Sequence, residues 1–179
     1  MKRSKKIAAA LTSLTTIVAT TFATISAAPA HAADSNTSVP PEITMPGSPD
    51  GIPSAGNGPI KLFIYPASVY ALAHPGTNPQ GANNFSCKPR EGQNPVVLLP
   101  GTNFDAYASW SMYAPKLTKL GYCVFSPNFN GLKLLPSFAY TGDIRVSAKA
   151  VSGFVDRVLT ATESKRVDLI GWSQGGGPL

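Results

Sequence analysis

Charge is scarce in this sequence. Asp, Glu, Lys and Arg make up 13% of its 179 residues, about half the share usual in globular proteins. There are only two histidines and two cysteines. No Cys-x-x-Cys and no His pair occurs, so a metal site is not expected. The basic residues beyond Lys6 are scattered and not interleaved with aromatics, which leaves a nucleic-acid partner without support. No apolar run of about 18 residues follows Ala32, so no stable membrane span is expected. Hydrophobic residues are not lacking: at 43% they suffice for an ordinary core. Sixteen glycines and seventeen prolines imply many turns.

The net charge of +6 says little about partners. Four basic residues, Lys2, Arg3, Lys5 and Lys6, stand at the start. They precede the apolar, threonine-rich run from Ile7 to Ala28 and then Ala30-His31-Ala32. A basic start, an apolar middle and a small-x-small site form a secretory signal peptide. Residues 1–32 are therefore expected to be removed, with cleavage after Ala32 or, as second choice, after Ala30. The competing reading is a membrane anchor, disfavoured by the weak hydrophobicity of the run. Export places the protein outside the cell or in its envelope. The remaining eleven basic residues nearly balance nine acidic ones. In an oxidising compartment Cys87 and Cys123 favour a disulfide over two free thiols. Closing that loop would add roughly 4 kcal/mol by loop-closure entropy.

Residues 33–59 are rich in Pro, Gly, Ser and Asn and read as a flexible leader. The folded domain is expected over 60–179. Residues 60–73 suggest a short strand and then a helix opened by Pro66. Val96-Val97-Leu98-Leu99 is short, apolar and β-branched, as a strand buried on both faces would be. A helix is expected over 111–120, with Ser111 as its cap and Gly121 as its stop. A second strand follows at Tyr122 to Ser126. Asp143 to Thr162 reads as a long helix, its apolar face carried by Ile144, Ala148, Val151, Val155, Val158 and Leu159. Val167 to Ile170 is the third strand. This alternation predicts an α/β fold, a parallel sheet with helices on both faces in three layers.

The third strand runs directly into Gly171-Trp172-Ser173-Gln174-Gly175. Gly-x-Ser-x-Gly is a weak pattern alone. Directly after a strand it fits a nucleophile elbow, in which a sharp turn lifts the serine hydroxyl into a cleft. That turn crowds the backbone, and Gly171 and Gly175 omit the Cβ atoms that would clash. The plainer alternative is a glycine-rich turn with Ser173 merely exposed. Acyl transfer also needs donors for a tetrahedral oxyanion. One is the amide following the nucleophile, that of Gln174. The other comes from the loop after an earlier strand, where Pro100-Gly101-Thr102 places Thr102. The Thr102 hydroxyl could add a third donor.

Three stretches carry a more specific likeness: Pro95 to Thr102, Leu120 to Asn128, and Gly171 to Gly176. Together with Gly81 to Pro89 they resemble the secreted class 2 triacylglycerol lipases of bacteria, over about residues 70–179. The resemblance implies an α/β-hydrolase fold, hydrolysis of lipid or other ester substrates, and no cofactor. It implies Ser173 as nucleophile, Thr102 and Gln174 as oxyanion donors, and a Cys87–Cys123 bridge. The family pattern continues with an Asp and then a His beyond the nucleophile, and the sequence ends at Leu179. The expectation is thus an N-terminal part, incomplete at the C-terminus and inactive or unstable alone. His74 lies upstream in what reads as a surface loop and is not expected to serve as base. Asp105 and Asp168 are expected to be a cap and a surface residue. Two alternatives stay open: a cutinase or envelope acyltransferase on the same fold, and a non-catalytic envelope or binding protein.

Overall fold

Four consecutive apolar residues, Val96–Leu99, form strand β1, and all four are buried. Alternation along the strand sends Val97 and Leu99 to one side and Val96 and Leu98 to the other. Each side has its own core. This is why the run has no polar residue: both faces of the sheet are covered. The computed structural model describes residues 44–177 except 133 and 136. The expected signal peptide and residues 33–43 of the leader lie outside the described residues.

The element order is α1 (Ile64–Ala73), β1 (Val96–Leu99), α2 (Ala106–Trp110), α3 (Ala114–Lys119), β2 (Val124–Phe125), α4 (Ile144–Thr162) and β3 (Asp168–Gly171). The sheet runs β2-β1-β3 with every pair parallel. Val96 sits opposite Val124 in β2 and Asp168 in β3, and the β1–β3 ladder ends at Leu99 against Gly171. The expected α/β architecture is present as this small open sheet.

α4 covers the face bearing Val97, Leu99 and Phe125 with Ala150, Val151, Phe154 and Val158. Its buried stripe also takes in Ser147 and Thr162. The stripe is therefore rotated from the expected one, and Ile144 is exposed. Phe154 draws it round by meeting Phe85 and Phe129 edge-on. Asp143 caps the helix as expected, its Oδ1 accepting from the Arg145 amide at 2.7 Å. Opposite, Trp110 and Ala114 cover Val96, Leu98 and Val124.

The helix expected over 111–120 is shorter, α3 at Ala114–Lys119, and a separate helix, α2, precedes it over Ala106–Trp110. Pro115 cannot donate an amide to a preceding turn, so it starts a new helix, α3, rather than continuing α2. The cap is Asp105, and Ser111 ends α2. Gly121 does close α3, at φ +88° with Tyr122 N donating to Leu117 O at 3.1 Å. Residues 60–63 form no strand, and His74 ends helix α1 rather than lying in a free loop.

Residues 44–59, read as the second half of a flexible leader, pack onto the domain. Met45 is 2% exposed and joins the α4-side core. Asn128 Nδ2 donates to Ser48 Oγ at 3.0 Å, and Gly58 N donates to Asn78 O at 3.0 Å. A turn-rich composition described the local backbone correctly but not its attachment. Cys87 and Cys123 form a disulfide across 36 positions, with Cα atoms 5.7 Å apart. It ties the irregular stretch before β1 to the start of β2. Among the described residues no helix is long and apolar enough to cross a membrane.

β3 lies one residue later than the expected Val167 to Ile170. It is exposed throughout, with Leu169 56% and Ile170 42% accessible. Among the described residues only β1 pairs with it, so its outer edge presents unpaired backbone among apolar side chains.

Candidate functional site

The parallel ladder brings the ends of β1 and β3 together, and the loops that leave them form the site. Trp172 N donates to Leu99 O at 3.1 Å, one step beyond the ladder. The chain then turns sharply. Ser173 adopts φ +53°, a left-handed conformation rare for a side chain bearing Cβ. Strain of this kind is held in place by its surroundings and clusters at functional positions. A four-residue 3₁₀ turn, Ser173–Gly176, follows, and the Ser173 side chain is exposed.

The flanking glycines are demanded by space. A Cβ on Gly171 would overlap the carbonyl of Gly175, and one on Gly175 would overlap the carbonyl of Leu99 at the end of β1. The first contact is the expected one across the turn. The second is a difference: Gly175 clears the neighbouring strand, so the turn is pressed against β1 as well as on itself. Gly101 gives a third close approach, since its Cβ would lie 2.8 Å from the Trp172 ring and 3.1 Å from Ser173 Cβ. The Pro-Gly-Thr loop and the serine turn are therefore in direct contact.

Thr102 and Gln174 meet across this junction. The Thr102 hydroxyl donates to Gln174 Oε1 at 2.6 Å. Neither the backbone amide of Thr102 nor that of Gln174 donates to any acceptor among the described residues. The Ser173 hydroxyl likewise makes no hydrogen bond there. Two unpaired amides and an unpaired hydroxyl thus share one small region. Thr102 and Ser173 are exposed, so these groups are open to solvent. They are suited to receive a polar ligand atom.

Beside this junction lies a cavity of about 650 Å³, lined in part by Trp110, Met112, Tyr113, Ile170 and Trp172. It is mostly apolar and opens on the α2–α3 side of β3. Trp172 also meets Phe104 at 5.0 Å between ring centres.

Other expected residues fall elsewhere. His74 stacks on Tyr70 at 4.1 Å, and its Nδ1 lies 3.0 Å from Tyr70 O. Asp168 starts β3 and accepts from Asn94 Nδ2 at 2.9 Å. Asp105 is a cap, as expected, accepting from Ala108 N at 2.7 Å. Its full burial was not foreseen. Desolvation pushes its carboxyl up to about 7, against the opposing hydrogen bond from Ala108. Its Oδ2 has no partner. Both cysteines are in the disulfide, and no group of three or more His, Cys, Asp or Glu comes together among the described residues. The Gln174 side-chain bond and the Gly101 contact were the features missed from sequence. Both depend on which loops the sheet brings together, and no local pattern encodes that.

No protein-family model matches the chain, and neither does any curated protein.

Proposed function

We propose that the chain carries the nucleophile and oxyanion-binding part of a serine ester hydrolase on an α/β-hydrolase fold, acting on lipid or related acyl esters outside the cell. One observation carries this reading. Ser173 is held at φ +53° on a turn directly after a parallel strand and packs against the Thr102 loop at Gly101, while the amides of Thr102 and Gln174 have no acceptor among the described residues. A turn serving only to reverse the chain would be expected to carry glycine at a left-handed position, where a side chain is disfavoured.

In the proposed reaction Ser173 Oγ attacks the acyl carbon. The carbonyl oxygen takes the developing charge between the two amides. The ester C–O bond then breaks, the alcohol leaves with a proton, and water hydrolyses the acyl-enzyme. A base must first take the Ser173 proton. No described histidine or carboxylate hydrogen-bonds that hydroxyl. An oxyanion site without a triad still leaves a rate about 10³–10⁴ above water. The apolar cavity beside Trp172 and the exposed strand β3 favour an apolar acyl substrate over a charged one.

The test is covalent labelling of the full-length protein with a fluorophosphonate, against Ser173→Ala as control. Labelling that disappears in Ser173→Ala supports the reading. An unlabelled wild type, or labelling that survives Ser173→Ala, overturns it and favours a non-catalytic binding role.

A further inference from the structure

The Thr102 hydroxyl has one proton to give. In the structure that proton goes to Gln174 Oε1, over 2.6 Å. The length is on the short side for a hydroxyl bond to oxygen. While it lasts, the hydroxyl cannot also donate to a substrate oxyanion. This runs against the expectation of Thr102 as a side-chain donor.

The bond occupies a mechanically sensitive place. The β1–β3 ladder closes with Trp172 N on Leu99 O. Beyond that point the Thr102 loop and the serine turn are joined by the packing of Gly101 on Trp172 and Ser173, and by the Thr102–Gln174 bond. Gln174 is 7% exposed, so its side chain has little room to swing away. It also follows Ser173 directly, so displacing it displaces the nucleophile. Both amides proposed to bind the oxyanion belong to the two residues that this bond joins.

We infer that the Gln174 side chain is a positioning residue, which fixes the spacing between the Thr102 and Gln174 amides by accepting from the Thr102 hydroxyl. The hydroxyl acts through Gln174 and not on substrate. This rests on the hydrolase reading above and assigns the side chains a task distinct from that of the amides.

A double-mutant cycle separates the roles. Thr102→Val and Gln174→Met each remove the bond with little change in volume. The full-length protein is treated with fluorophosphonate over a concentration series. Each single variant should lower the saturating inactivation rate about tenfold, the worth of one neutral hydrogen bond, with the half-saturating concentration unchanged. The double variant should be no slower than either single, and Thr102→Ser should retain the wild-type rate. A double variant slower than Gln174→Met by a further tenfold or more overturns the inference, because the hydroxyl would then act on substrate directly. Urea unfolding of the wild type, the two single variants and the double variant of the cycle gives a second readout. Non-additive midpoints are expected, and additive effects in both assays overturn the tie between the loops. Non-additive unfolding with an unlabelled wild type overturns the hydrolase reading, and with it the positioning role, while the tie itself stands.

Discussion

Replacing Asp105 by Asn removes the one carboxyl that the fold fully buries among the described residues. Its Oδ1 caps α2 through Ala108 N, and its Oδ2 meets no partner. The Ser137 hydroxyl nearby already donates to Ala71 O at 2.6 Å and has no second proton to offer. A carboxylate here has only one of its oxygens hydrogen-bonded, whereas a protonated Oδ2 could donate to Ser137 Oγ. Burial moves the group from 3.8 up to about 7. Because the folded pKa lies above the unfolded one, the folded chain binds the extra proton between about pH 4 and 7. Stability is then highest at the low end of this window and falls as pH rises through it, levelling above about 7. A shift of roughly three units corresponds to about 4 kcal/mol at most. Asn cannot ionise, keeps an oxygen for Ala108, and offers an amide donor where Oδ2 stood. Asp105→Asn should therefore gain on wild type as pH rises, by up to about 4 kcal/mol at pH 8, and should match it near pH 4.5. The carboxyls of Asp143 and Glu163 are lowered by Arg145 and Lys88 and are the same in both proteins. The assay is urea unfolding of both proteins from pH 4.5 to 8.5, the difference between them cancelling every other titrating group. The reasoning fails if the difference is flat across that range, or if it grows toward low pH.

Three further outcomes follow from the packing. Gly175→Ala would drive a Cβ into the Leu99 carbonyl, so it should cost about 1–3 kcal/mol and abolish labelling at Ser173; unchanged unfolding and labelling would remove the steric basis of the turn. Met45→Ala should cost about 2–5 kcal/mol in chemical unfolding, because Met45 is 2% exposed in the α4-side core; a loose leader would show no change. Reducing the Cys87–Cys123 bond, which closes a loop across 36 positions, should lower stability by roughly 4 kcal/mol, visible as a lower melting temperature in dithiothreitol.

The sequence made the parallel sheet legible because β1 has no polar residue. A strand with Val96 and Leu98 on one side and Val97 and Leu99 on the other can only be central. The serine turn was legible for a related reason. Gly171 and Gly175 are needed by contacts that the turn itself makes, or makes with the strand next to it. Both signals are local or nearly so. The misreadings share the opposite character. Residues 44–59 carry turn chemistry, and turn chemistry describes φ and ψ rather than burial. Met45 and Ser48 are fixed by Phe129 and Asn128, some eighty residues away. Asp105 was recognisable as a cap from its residue type. Its burial sets it beside Ser137, which no short window around residue 105 contains. Gln174 shows the same division within one residue. Its backbone role follows from standing next to Ser173, whereas its side chain answers to Thr102, 72 positions earlier. A site assembled from two loops at adjacent strand ends therefore discloses its backbone to sequence reading and withholds its side-chain couplings. Those couplings are where substitution at this site should be most informative.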